Sequence, residues 1–170
     1  MINRILGVFK LDSETFEEIE HDQSATTQAA MVVLAVALLS AVGGLIGAAI
    51  GEGSLIMAFI SPIISTFAGW LIWSAVLYFV GTSFFGGQAD IGEMLRVVGF
   101  AYAPMVLGII PCFGWIVGLI WTLVALVIAV RQGLDIDTTK AVIVGVIGFV
   151  LVVILNFVVG AVLGVGSFLF

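Results

Sequence analysis

Charge is what this sequence has least of. Of its 170 residues 9% are charged; Lys and Arg together number five, with one His, one Cys and three Pro. An ordinary soluble domain carries about 25% charged residues. So few charges cannot cover the surface of a water-soluble fold of this size. Nucleic acid needs clustered Lys and Arg, and the net charge of −6 is the opposite of that. Cys112 stands alone and forms no intrachain disulfide. The one histidine, His21, lies outside every apolar run, and no His/Cys cluster has metal-ligand spacing, so neither a metal nor a cofactor is expected. The apolar runs hold no nucleophile–base–orienter set, no carboxylate chain and no Arg ladder. That pattern argues against an enzyme, a proton-coupled transporter and a voltage sensor. The first 28 residues contain no apolar h-region, so no signal peptide is expected and the first span is expected to target the chain.

Apolar residues are abundant, at 62%, and the mean hydropathy is +1.34. A hydrocarbon core about 30 Å thick needs roughly 20 residues of apolar helix. Five stretches qualify: 29–50, 57–82, 94–110, 112–130 and 141–165. The second stretch, interrupted by Pro62, is longer than one span, so its core is placed over Ser61–Val80 with a tilt or a preceding turn expected. The expected fold is an all-α integral membrane protein. It is a compact bundle of five transmembrane helices (29–170) behind a cytoplasmic amphipathic and acidic segment (1–28).

Prolines punctuate the middle of the chain. Pro111 is expected to end span three and start span four as a tight helical hairpin. Pro104 has apolar residues on both sides and predicts a kink that frees a carbonyl near Phe100, with Tyr102 and Thr122 as nearby hydroxyls to satisfy it. The cations give the topology. Arg4, Lys10, Arg96, Arg131 and Lys140 all fall on one side of a five-span chain, which predicts the N-terminus inside and the C-terminus outside.

The N-terminal segment has its own pattern. Ile2, Ile5, Leu6 and Phe9 recur at helical spacing, as in a short helix lying in the membrane interface. Six of the eleven acidic residues lie between Asp12 and Asp22. There Thr15 and Glu18 are spaced as a capping box, and Phe16 with Ile19 makes a small apolar stripe. The stretch reads first as a solvated acidic linker, second as a docking surface for a basic partner. Glu93 and Arg96 are spaced to pair at the interface. Asp135 and Asp137 read as a loop with a helix cap at Asp137 or Thr138, rather than as a cation site.

Glycine is the strongest intramembrane signal, at 21 residues. Gly43, Gly47 and Gly51 share one face of span one, beside a parallel stripe of Ser40, Gly44 and Ala48. Gly114 with Gly118, and Gly160 with Gly164, repeat the spacing in spans four and five. Such faces let helix backbones approach closely, inside the bundle or between copies of the chain. Asn156 is the most polar residue well inside a span and reads as an interhelical hydrogen-bonding group, or else as the lining of a water path. Trp70, Trp73, Trp115, Trp121 and Tyr78 fit in part as interfacial anchors.

Taken in order, "RILGVFKLDSETFEEIEHDQSAT", "GFAYAPMVLGIIP" and "GWIVGLIWTLVALVIAVRQGLDIDTTKAVIV" resemble the lead-in, the tyrosine-proline third span and the fourth span with its following loop of the Yip family, the Ypt/Rab-interacting membrane proteins. The resemblance covers nearly the whole chain and is to a prokaryotic-type member. It implies a five-span membrane domain and no catalytic residues. In eukaryotic relatives it implies trafficking through Rab-type GTPases. The short lead-in departs from those relatives, so a GTPase partner rests on family resemblance alone. The expected function is a non-enzymatic membrane scaffold acting in membrane organisation or a trafficking-like process. Its expected partners are the lipid bilayer, a second copy or other membrane proteins, in the cell membrane of a prokaryote. The alternative is a small channel or transporter for a neutral or weakly polar solute, with Asn156 on its path. A lipid-modifying enzyme ranks third.

Overall fold

The computed structural model describes residues 1–51, 53–110 and 113–163. Among these every regular element is helical: α1 (Ile2–Phe9), α2 (Ser13–His21), α3 (Ala25–Ile50), α4 (Leu55–Phe84), α5 (Ile91–Ala101), a 3₁₀ segment (Ala103–Ile109), α6 (Gly114–Gly133) and α7 (Thr138–Leu163). Five stretches are long and apolar enough to cross a bilayer: Ala25–Ile50, Leu55–Phe84, Ile91–Ile109, Gly114–Gly133 and Thr138–Val159. The chain is an all-α, five-span membrane protein.

Spans two and three accommodate their prolines differently. No turn precedes span two, because α4 is one helix of 30 residues with Pro62 inside it. At 1.5 Å per residue it is about 45 Å long, more than a hydrocarbon core of about 30 Å. Pro62 deletes the hydrogen bond to the carbonyl of Ala58, four residues back. That carbonyl meets α3 where Gly44 lies: a Cβ on Gly44 would sit 2.5 Å from the Ala58 oxygen and 3.6 Å from the Pro62 ring. The proline therefore leaves a carbonyl bare at the point where a glycine lets the next helix backbone reach it. Span three, in contrast, changes helix type. After Ala101 the chain passes through Tyr102 into the 3₁₀ segment, with Pro104 in its first turn. Thr122 does not satisfy a freed carbonyl there, since its buried hydroxyl has no hydrogen-bond partner. Gly114 and Gly118 of α6 lie against this segment; a Cβ on Gly118 would come within 2.9 Å of the Pro104 carbonyl oxygen. The Pro111 hairpin and Gly164 lie outside the described residues.

The tightly packed core lies at one end of the bundle. Its buried residues come from Ala25 to Ala41 of α3, Gly69 to Gly81 of α4, most of α5, and Ala125 to Gly133 of α6. Beyond Ala41, and before Gly69, α3 and α4 keep contact with each other but expose Ile46, Ile50, Ile56 and Ile64. Trp70 and Trp73 belong to the packed core rather than to an interfacial belt: both are buried, and the Trp70 indole donates to the Leu95 carbonyl at 3.0 Å. Trp115 is exposed.

Candidate functional site

The chemically distinctive region is the packed end of the bundle, where α1 and α2 dock. The α2 helix does not behave as the solvated linker suggested by the acidic run. Phe16, Ile19 and Val8 are fully buried, and α2 packs on α5 and α6. Fully burying side chains of this kind contributes about 1.5–3 kcal/mol each. On α1, Ile2 and Leu6 stay exposed while Gly7 and Val8 face protein. The exposed pair is the part of the predicted apolar stripe left free to meet a membrane interface.

Each docking helix is capped by groups that its sequence alone does not reveal. The α2 cap is Asp12, three residues before the Thr15–Glu18 pair: its carboxylate accepts from the Glu14 N–H at 3.3 Å and from the Thr15 hydroxyl at 2.6 Å. Helix C-termini leave carbonyls without partners. Here the bundle supplies donors. The Trp121 indole donates to the Phe9 carbonyl at the end of α1 at 3.0 Å. Arg96 of α5 donates from Nε and Nη2 to the Glu20 carbonyl near the end of α2, at 2.8 and 2.5 Å. Arg96 is buried, and a cation at a helix C-terminus is favoured by the helix dipole. It does not pair with Glu93. That carboxylate instead closes a capping box with Asp90 at the start of α5, at 2.6 and 2.7 Å.

Two clusters of polar side chains lie on this docked segment. In the first, Arg4 bridges Glu18 at 2.7 Å, Asp22 at 2.6 Å and Gln28 of α3 at 3.2 Å. It borders a polar cavity of about 380 Å³ that Met1, Asn3 and Thr15 also line. The Ser24 hydroxyl and then Arg4 lower the Asp22 carboxyl to about 2. The second cluster is Glu17, Glu20 and His21 on one face of α2, with a ligand-competent atom from each within 4.8 Å of the others. Glu17 accepts from Gln132 of α6 at 2.8 Å. Glu20 is 3% exposed and its Oε2 has no hydrogen-bond partner. Burial, and next the negative charge of Asp135, raise its carboxyl to about 7. His/Cys spacing does not mark this trio. The carboxylate–carboxylate–histidine spacing at 17, 20 and 21 was the available signal.

The loops at this end meet as well. Gln88, between α4 and α5, donates its N–H to the Leu134 carbonyl at 2.9 Å, and Arg131 reaches Thr138 across the α6–α7 loop at 3.5 Å. Asp137 caps α7, accepting from the Lys140 N–H at 3.0 Å. Asp135 ends α6 with φ of 52°, its N–H and that of Ile136 returning to the Gln132 and Arg131 carbonyls.

The intramembrane candidates lie apart from this end. Gly43 and Gly47 are exposed, with no atom within 4 Å of where a Cβ would be. Gly44, one position on, takes the α4 contact. Gly51 ends α3, where an added Cβ would meet only the Gly47 carbonyl of its own helix, at 3.4 Å. Gly160 falls within α7, and Asn156 is buried there. Tyr102 and Pro104 sit together at the α5–3₁₀ junction, with the Tyr102 hydroxyl near Gly69.

No curated protein and no solved structure matches this chain. A family model, the Yip1 domain, matches residues 6–160 and so spans α2 through most of α7, including the docked N-terminal segment from Leu6 onward. The chain belongs to the Yip1 domain family.

Proposed function

We propose that this protein is a non-enzymatic membrane scaffold that associates with a second copy, or with other membrane proteins, through the outward glycine face of α3. The observation that carries the reading is the division of labour between adjacent glycines. Gly44 is consumed by the α3–α4 contact, whereas Gly43 and Gly47 present a bare backbone strip to the lipid. In a bilayer, where lipid tails are as apolar as side chains, such strips associate by close backbone packing. Family membership supports a membrane role, and no catalytic set is implied by it. The cation-bearing end, with α1 and α2, faces the cytoplasm in this reading, and the C-terminus lies outside a prokaryotic cell membrane.

The test is a pair of leucine substitutions in full-length protein reconstituted in bilayers. Gly47→Leu keeps the thermal stability of the monomer, because the space beside it is open, and loses intermolecular crosslinking. Gly44→Leu destabilises the monomer by at least about 1–3 kcal/mol through overpacking. Undiminished crosslinking in Gly47→Leu overturns the proposal.

A further inference from the structure

The three side chains Glu17, Glu20 and His21 have features that packing alone does not account for. They come from consecutive turns of α2, so their donor atoms converge on one side of the helix, within 4.8 Å of one another. Glu20 is directed into this group from a position that is 3% exposed, and its Oε2 is buried without any hydrogen-bond partner. A carboxylate left so is costly unless a cation meets it or it takes up a proton. Arg96 does not meet it: both of its bonds go to the Glu20 backbone carbonyl rather than the carboxylate.

The two partners are prepared as ligands. The His21 Nδ1 lies 3.0 Å from the Glu17 carbonyl oxygen, which can only accept, so Nδ1 is the donor there and Nε2 is the nitrogen left for a metal. Metal-bound histidines usually have this arrangement, with the distal nitrogen held by a carbonyl or carboxylate. One Glu17 oxygen accepts from Gln132 of α6, which fixes the carboxylate's direction and leaves the other oxygen free. We propose that Glu17, Glu20 and His21 form a binding site for one divalent transition-metal cation, clamping α2 against the bundle. Two carboxylates and one imidazole suit Zn²⁺ or Mn²⁺ better than Mg²⁺, which takes oxygen ligands and keeps its waters.

Full-length protein, stripped with EDTA and reconstituted in nanodiscs, is titrated with Zn²⁺ and separately with Mg²⁺, reading bound metal per chain and the thermal midpoint. One Zn²⁺ binds per chain and raises the midpoint, and EDTA reverses both. His21→Ala, an exposed position, weakens binding at least about tenfold, as does Glu20→Gln. Asp12→Asn, which retains a capping side chain at the far end of α2, leaves binding unchanged. Equal Zn²⁺ uptake by wild type, His21→Ala and Glu20→Gln would mean adventitious surface metal only and overturns the proposal. So does the absence of saturable binding, or Mg²⁺ binding as tightly as Zn²⁺.

Discussion

Replacing Arg96 with methionine tests the reasoning about how α2 is held. The stem keeps most of its volume, so the change removes the charge and two hydrogen bonds without opening a large cavity. Those bonds, at 2.8 and 2.5 Å, converge on the one carbonyl oxygen of Glu20. A hydrogen bond to a charged group contributes about 1.5–3 kcal/mol, and orphaning a buried carbonyl costs about 1–3 kcal/mol. The two bonds share an acceptor, so their values do not add. A loss of about 2–4 kcal/mol in the docking of α2 is the reasoned magnitude.

That loss is local, because Phe16 and Ile19 remain to hold the helix by burial. The expected result is therefore a looser α2 on an intact bundle. Local opening is read by amide hydrogen exchange, and 2–4 kcal/mol corresponds to roughly 30- to 1,000-fold faster exchange of α2 amides. Amides of α6 over Ala125–Val130, which lie in the packed core, keep their protection. Arg96→Lys recovers only part of the effect, since an ammonium replaces a fork of two donors with a single point charge. If α2 amides exchange at the wild-type rate in Arg96→Met, the guanidinium is not what caps the helix. If all five spans lose protection together, docking of α2 is not a separable event.

Two further outcomes follow from backbone geometry. Gly118→Val places a branched side chain against the Pro104 carbonyl, where a Cβ alone comes within 2.9 Å; it lowers stability by about 1–3 kcal/mol in denaturation of the purified protein, and a wild-type midpoint would show that α6 and the 3₁₀ segment slide apart freely. Asp135→Gly relieves a left-handed residue at φ of 52° and raises stability by about 0.5–1 kcal/mol, read as a higher thermal midpoint; a lower midpoint would mean that the Asp135 side chain has a role its conformation does not disclose.

The spans were legible because length and apolarity suffice to mark a helix in hydrocarbon, whatever it packs against. What the sequence concealed follows from the same physics. Pro62 would normally end a helix, yet in a membrane the helix is the one way to satisfy the remaining backbone groups, so α4 runs through it. Glu93 was read as the partner of Arg96 by spacing. A capping box at Asp90 claims it first, and spacing carries no record of competition for one carboxylate. In α2, Phe16 and Ile19 were visible as a pair, but two apolar residues among six acids do not reveal that the helix is seated. The seat is built from α5 and α6, more than seventy residues away in sequence. Trp70 and Trp73 illustrate a related ambiguity: tryptophan suits both an interface and a core, and which face of α4 turns inward decides between them.

The contact between α3 and α4 bears on how the proposed association surface of α3 is presented. Adjacent positions on an α-helix point about 100° apart. Fixing Gly44 over the carbonyl that Pro62 leaves bare therefore also fixes the direction in which Gly43 and Gly47 face. A proline and a glycine on different helices, each unfavourable in a helix by itself, together lock the rotation of α3 at a depth where little else packs against it. The difference between Gly44 and its neighbours Gly43 and Gly47 is what a helix shows when one side is bound to its neighbour and the other is open.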